Sequence, residues 1–171
     1  MSNLYHIIAL FFRKVTDSQM KVMLSTWNRF WFFDLAQQLL KQNKLHSICT
    51  TLPLYIAQRD TALASRKKNQ LKTYPPFFML QAAFGRIVRN TSMNELLAVV
   101  TTKTFQSFVA DEIKQDIENI DALIAISGSG YKAGKIMLDN GKKYYFDRGS
   151  TEISHQLEVM NRIHSELSLP T

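Results

Sequence analysis

Apolar residues along this chain fall into short continuous runs that alternate with stretches of helical spacing. Residues 21–25 (KVMLS) form the first well-bounded run, which opens into Thr26, Trp27, Asn28, Arg29 and Phe30 before the spacing changes at Phe32. From there to Asn43 the apolar positions 32, 35, 36, 39 and 40 recur every three or four residues, and Gln37, Gln38, Lys41 and Gln42 take the other side. That spacing predicts a helix with one face packed on a sheet. Residues 45–51 (LHSICTT) read as a second strand, so the opening unit is strand, helix, strand.

Between residues 52 and 93 the prolines at 53, 75 and 76 interrupt the pattern, and only residues 77–88 have helical character. The signal returns at Thr104. Phe105, Phe108, Val109, Ile113, Ile117 and Ile120 step by three and four, which predicts an amphipathic helix. Residues 122–126 (ALIAI) are a continuous apolar run, as a parallel strand buried on both faces requires. Ser127, Gly128, Ser129 and Gly130 end it, residues 131–140 read as a helix, and Gly141 suits a left-handed cap. A strand over 143–146, a loop over 147–151 and an apolar stripe at 153, 157, 160, 163 and 167 complete the chain. The alternation predicts an α/β fold: a Rossmann-like three-layer domain with a mostly parallel sheet, over residues 20–171. Residues 1–19 read as an extension with a short apolar, helical run at 5–12.

Composition refines this picture. With 171 residues, 46% of them hydrophobic and 20% charged, the chain is long enough for one domain with a real core, and only 6 Gly and 4 Pro argue against disorder. The lone Cys49 lies in an apolar run, which fits a buried, inert thiol in a reducing compartment. No apolar run reaches the roughly 20 residues of a spanning helix, and Arg13 and Lys14 follow the 5–12 run instead of preceding it, the wrong order for a secretory signal. A cytoplasmic location, with peripheral membrane contact as an option, is the expectation. The net charge of +7 favours polyanions without choosing among them. Its densest cluster, Arg66, Lys67, Lys68 and Lys72, runs into Tyr74, Pro75, Pro76, Phe77 and Phe78. That stretch is either a solvated loop before a core helix or a basic, aromatic surface for a membrane or a sugar-lipid.

Ligands of open α/β sheets bind beyond the carboxyl ends of the strands, so candidate chemistry belongs in the loops that leave them. The 127–130 loop offers Ser127, Gly128, Ser129 and Gly130, whose glycines permit a tight turn and close approach of backbone N–H groups to an anion. Its GxGxxxG spacing, completed by Gly134, is neither the dinucleotide fingerprint nor a phosphate-binding loop of the ATPase type. A strand-to-helix turn with no ligand explains it equally well. The 147–152 loop gathers Asp147, Arg148, Gly149, Ser150 and Thr151 ahead of Glu152. Arg148 can grip a phosphate or carboxylate in bidentate fashion, or pair structurally with Asp147 while Ser150 or Thr151 caps the next helix.

Residues 121–156 (DALIAISGSGYKAGKIMLDNGKKYYFDRGSTEISHQ) resemble the family 4 glycosyltransferases, in which a strand ending in SGSG, a helix, and a strand ending in DRGS follow in this order. Residues 30–40 (FWFFDLAQQLL) and 41–53 are similar to the first helix and second strand of the same group, so the resemblance covers somewhat under half the chain. It implies one half of a GT-B fold, the acceptor-side domain of a retaining enzyme that moves a sugar from a nucleotide-sugar to a glycan or lipid-linked acceptor. The resemblance places Asn28, Arg29 and the SGSG and DRGS loops on one wall of the cleft. The acidic and basic residues that the family uses on the nucleotide-sugar belong to a C-terminal domain outside residues 1–171, so the chain is expected to be inactive alone. Glu152 departs from the pattern, since relatives of that family commonly carry His there, and His155 takes no assigned role.

No metal and no cofactor beyond the nucleotide-sugar co-substrate is implied; the D-x-D pair of metal-dependent sugar transferases does not occur, and the four His and one Cys show no ligand spacing. A triad of Ser129, His155 and Asp147 exists on paper without a GxSxG elbow to support it. The competing reading is a non-catalytic basic module that binds a polyanion, nucleic acid or anionic membrane, or regulates a partner; it rests on charge alone, and nucleic acid is the less favoured partner.

Overall fold

The computed structural model describes residues 20–59, 70–76, 78, 79 and 91–147, with the backbone alone for 91–94. The extension at 1–19, the cluster Arg66 to Lys68, most of the 77–88 segment and everything from Arg148 onward, including the final apolar stripe, lie outside the described residues.

In chain order the elements are β1 (Val22–Thr26), α1 (Phe32–Lys41), β2 (Leu45–Thr50), the single turn α2 (Leu54–Ala57), β3 (Leu71–Thr73), α3 (Thr91–Asp116) with a 3-10 turn (Ile117–Asn119), β4 (Ala122–Ile126), α4 (Tyr131–Asp139) and β5 (Lys143–Asp147). The strands form one sheet in the order β3-β2-β1-β4-β5, and every pair is parallel. This is the α/β, Rossmann-like layering the alternation predicts.

Side chains alternate across β1, so its two faces serve two cores. Val22 and Leu24 pack with Phe32, Phe33, Ala36 and Leu39 of α1, whereas Met23 packs with Phe105, Val109 and Ile113 of α3 and Ala133 and Met137 of α4. All five residues of β1 are buried, which makes it the centre of the domain. One layer of helix therefore covers each face, α1 on one and α3 with α4 on the other.

Two helices end by the same device. Asn43 (φ 57) and Gly141 (φ 67) take the left-handed conformation, and the amides of Lys44 and Lys142 reach back to the carbonyls of Leu39 and Met137, each at 2.8 Å. These bonds satisfy helix-end carbonyls and turn the chain into β2 and β5. At the amino edge of the sheet, Asp121 accepts from the Lys21 amide at 2.7 Å and its own amide donates to the Lys21 carbonyl at 2.9 Å, which fixes β4 beside β1. His46 of β2 meets Asp116 at the end of α3 at 2.7 Å; hydrogen bonds from Asn119 first and His46 second hold that carboxyl below its ordinary range.

α3 is longer than the pattern predicts. The periodic stripe begins at Phe105, about one turn after the buried Thr101, whereas Leu96, Val99 and Val100, earlier in the helix, are exposed. Tyr74 and Phe78, candidates for an exposed aromatic surface, instead pack against the two cores. Among the described residues no helix is long and apolar enough to cross a membrane.

Two tests follow from this packing. A Cβ on Gly130 would lie 2.3 Å from the Ala125 Cβ, a strand atom that cannot swing away, whereas one on Gly141 meets nothing within 4 Å. In urea unfolding, Gly130→Ala is expected to cost about 2–3 kcal/mol from overpacking, and Gly141→Ala about 1 kcal/mol from its left-handed backbone alone. Burial first, and Glu112 second, push the Cys49 thiol far above its ordinary value despite Lys72. The folded chain is therefore expected to give no reaction with a thiol reagent such as DTNB until denaturant exposes Cys49, since the thiolate is the reactive form.

Candidate functional site

The chain leaves β1 toward the face covered by α1 and leaves β4 toward the face covered by α4. These strands are neighbours whose helices lie on opposite faces, so the carboxyl edge between them is the switch point of the sheet, the usual ligand position of such folds.

Both loops are tied down at that edge. Ser25 donates its hydroxyl to the Ser129 carbonyl at 3.1 Å, and Ser129 returns its own to the Ser25 carbonyl at 3.0 Å and to Ile126 at 2.8 Å. Both serines are fully buried, so these bonds form away from competing water. The Trp27 indole donates to the Ser127 carbonyl at 2.9 Å, and Gln106 of α3 donates to the Gly128 carbonyl at 2.8 Å. Thr26 donates to the Asn28 carbonyl at 2.8 Å, and Thr51, just after β2, donates to that of Trp27. From the far side, the Asp147 carbonyl accepts from the Ser127 amide at 2.8 Å. The loops after β1 and β4, the end of β5 and the start of the β2 exit thus form one hydrogen-bonded rim.

What projects from the rim is polar and aromatic. Asn28, Arg29 and Ser127 are exposed, as are Phe30 (55%) and Tyr131 (71%), the first residue of α4. Phe30 also has φ 30, a conformation that costs a bulky side chain energy. The nine-residue α4 begins at Gly130 without a side-chain cap, so its amino end, with the positive end of the helix dipole, faces this edge.

The sequence-derived candidates separate into two kinds. Asn28, Arg29, Ser127 and Gly128 come together at the rim. Ser129 and Gly130 are buried and structural: the Ser129 hydroxyl is spent on backbone carbonyls, which removes it as a nucleophile for the paper triad, and Gly130 is glycine because Ala125 leaves no room. Gly128 supplies the positive φ (80) of the turn, and Gly134 lets α4 approach the Tyr144 ring, 2.4 Å from where a Cβ would stand. The GxGxxxG spacing is thus explained by packing. Asp147 closes β5, while Arg148, Gly149, Ser150 and Glu152 lie outside the described residues. Trp27, Phe30 and Gln106 were not legible as site residues; a tethering bond over 22 positions and a positive φ leave no mark in local spacing. Among the described residues, no three His, Cys, Asp or Glu side chains gather as a metal site.

Gln106→Ala removes the α3 tether, at an expected cost of about 1 kcal/mol. Amide exchange in the 127–130 loop should then quicken about fivefold while α1 amides are unchanged, because the opening is local; unchanged loop exchange would show that the bond does not hold the rim. Comparison with protein-family models, with curated proteins and with solved structures gives no match.

Proposed function

We propose that the chain is the acceptor-side domain of a retaining glycosyltransferase of GT-B type, which positions a glycan or lipid-linked sugar for transfer from a nucleotide-sugar. The observation that carries this reading is the switch point itself: the loops leaving β1 and β4 are locked side by side, with Asn28 and Arg29 exposed on one and the amino end of α4 following the other. The resemblance assigns the SGSG loop after β4 and the Asn28–Arg29 loop after β1 to the cleft wall, and the parallel order around β1 suits such a wall.

On this reading catalysis is electrostatic. Fixed N–H dipoles and arginine side chains stabilise the charge that develops as the nucleotide diphosphate departs, and a rim that does not reorganise makes them effective. Asn28 and Arg29 contribute acceptor contacts, and the nucleotide is held by a second domain. The chain by itself is therefore a binding domain with little turnover.

The test combines a glycan array with a turnover assay on the 171-residue chain. Saturable binding of at least one glycan is expected, weakened about tenfold in an Asn28→Ala, Arg29→Ala double variant, equivalent to about 1.4 kcal/mol. Release of UDP or GDP from nucleotide-sugars should stay at background. Robust transfer by the chain alone would overturn the domain assignment. Absence of glycan binding together with DNA binding that falls steeply with salt would favour the basic-module reading, whose support is the net charge of +7.

A further inference from the structure

An open groove of about 430 Å³ runs along α3 where the helix passes the end of β3 and the start of α4. Tyr74 and Phe108 supply its aromatic surface, with ring centroids 5.2 Å apart. Tyr74 is fixed by its amide, which donates to the Thr50 carbonyl at 2.8 Å. Two ammonium groups, Lys103 and Lys132, line the same groove. Lys132 donates to the Ser107 hydroxyl at 2.8 Å, and that hydroxyl donates to the Lys103 carbonyl at 3.0 Å, so Ser107 holds the Lys132 ammonium against α3. Lys132 is also the second residue of α4, where the helix dipole adds to its charge. The one carboxylate lining the groove, Asp111, meets Lys114 at 3.4 Å on the surface.

The geometry points to a binding site for a sugar phosphate, with the phosphate paired to Lys103 and Lys132 and the sugar ring lying against Tyr74 and Phe108. Each part of the groove matches one part of that ligand. Two ammonium groups lining one groove beside a helix amino end favour a phosphate. An aromatic surface is superfluous for a bare anion but buries the C–H face of a ring. The Thr104 hydroxyl, whose hydrogen goes to the Thr101 carbonyl at 3.0 Å, and the Asp111 carboxylate also line the groove, and as acceptors they suit the O–H donors of a polyhydroxylated ring. The volume falls within the roughly 300–1,000 Å³ of small-molecule sites. The assignment rests on the groove and stands apart from the glycosyltransferase reading, because its test requires no transfer.

The full chain is titrated with glucose 1-phosphate, inorganic phosphate, glucose and AMP, followed by amide chemical shifts. Glucose 1-phosphate is expected to bind at least about tenfold more tightly than the other three, with shifts centred on α3 and the start of α4. A Lys103→Glu, Lys132→Glu double variant, both positions exposed and compatible with the fold, should lose that binding, and Tyr74→Leu should reduce it to the level of inorganic phosphate. Vesicles with and without phosphatidylinositol distinguish the source: retention that requires this lipid and is lost in the double-lysine variant assigns the sugar phosphate to a lipid headgroup, and binding of free glucose 1-phosphate alone assigns it to a soluble ligand. Equal affinity for inorganic phosphate or AMP, binding unaffected by the lysine variants, or no binding to either source would overturn the proposal.

Discussion

The reciprocal clasp between Ser25 and Ser129 sets how closely the β4 exit can be drawn against β1, and the geometry of the carboxyl edge follows from that closeness. Each bond contributes only about 1 kcal/mol net, but losing either hydroxyl would strand a buried carbonyl at a cost of roughly 1–3 kcal/mol. With the clasp closed, Gly130 is pressed onto the Ala125 Cβ and α4 begins immediately beyond the sheet edge. That position brings Lys132 to within 2.8 Å of Ser107 on α3. The rim and the groove thus both adjoin one contact between the end of β1 and the loop that leaves β4.

Most of the fold was legible because buried parallel strands and one-sided helices write themselves as continuous runs and 3.6-residue periods. β1, β2, β4 and β5, with α1 and α4, lie within a residue or two of the expected bounds. β3 has three residues, Leu71–Thr73 with Lys72 in the middle, too few to establish a period before the prolines that follow. The early turns of α3 were illegible for the opposite reason: Leu96, Val99 and Val100 are apolar yet exposed, so hydrophobicity there does not report which side meets the sheet.

The site was legible as a location but not as a set of roles. The rule that ligands gather beyond strand ends identifies the loops after β1 and β4, since it depends only on the parallel alternation. It cannot tell Ser127, exposed at the rim, from Ser129, fully buried two residues later, because both stand in the same SGSG. The groove escaped for a topological reason. Tyr74 comes from the end of β3, Lys103, Ser107 and Phe108 from one face of α3, and Lys132 from α4, so no local spacing joins them.

Rim and groove are joined by aromatic packing. Trp27 lies on Phe105 with centroids 4.7 Å apart, and Phe105 contacts both Tyr74 at 6.2 Å and Phe108 at 6.1 Å. Such a chain conveys influence only if one member has two positions, and Phe105 is fully buried on α3 within the close-packed core beneath β1. Its physical role is therefore support. Trp27 holds the rim through Ser127 while leaning on the residue that also backs the groove, so both surfaces are braced by one side chain. This division places rigidity in buried residues and recognition in exposed ones: Asn28, Arg29, Lys103 and Lys132 are all exposed, and the groups that position their backbones are not. Ligands then meet charges on pre-set anchors, and the ordering cost of binding is confined to the ends of a few side chains.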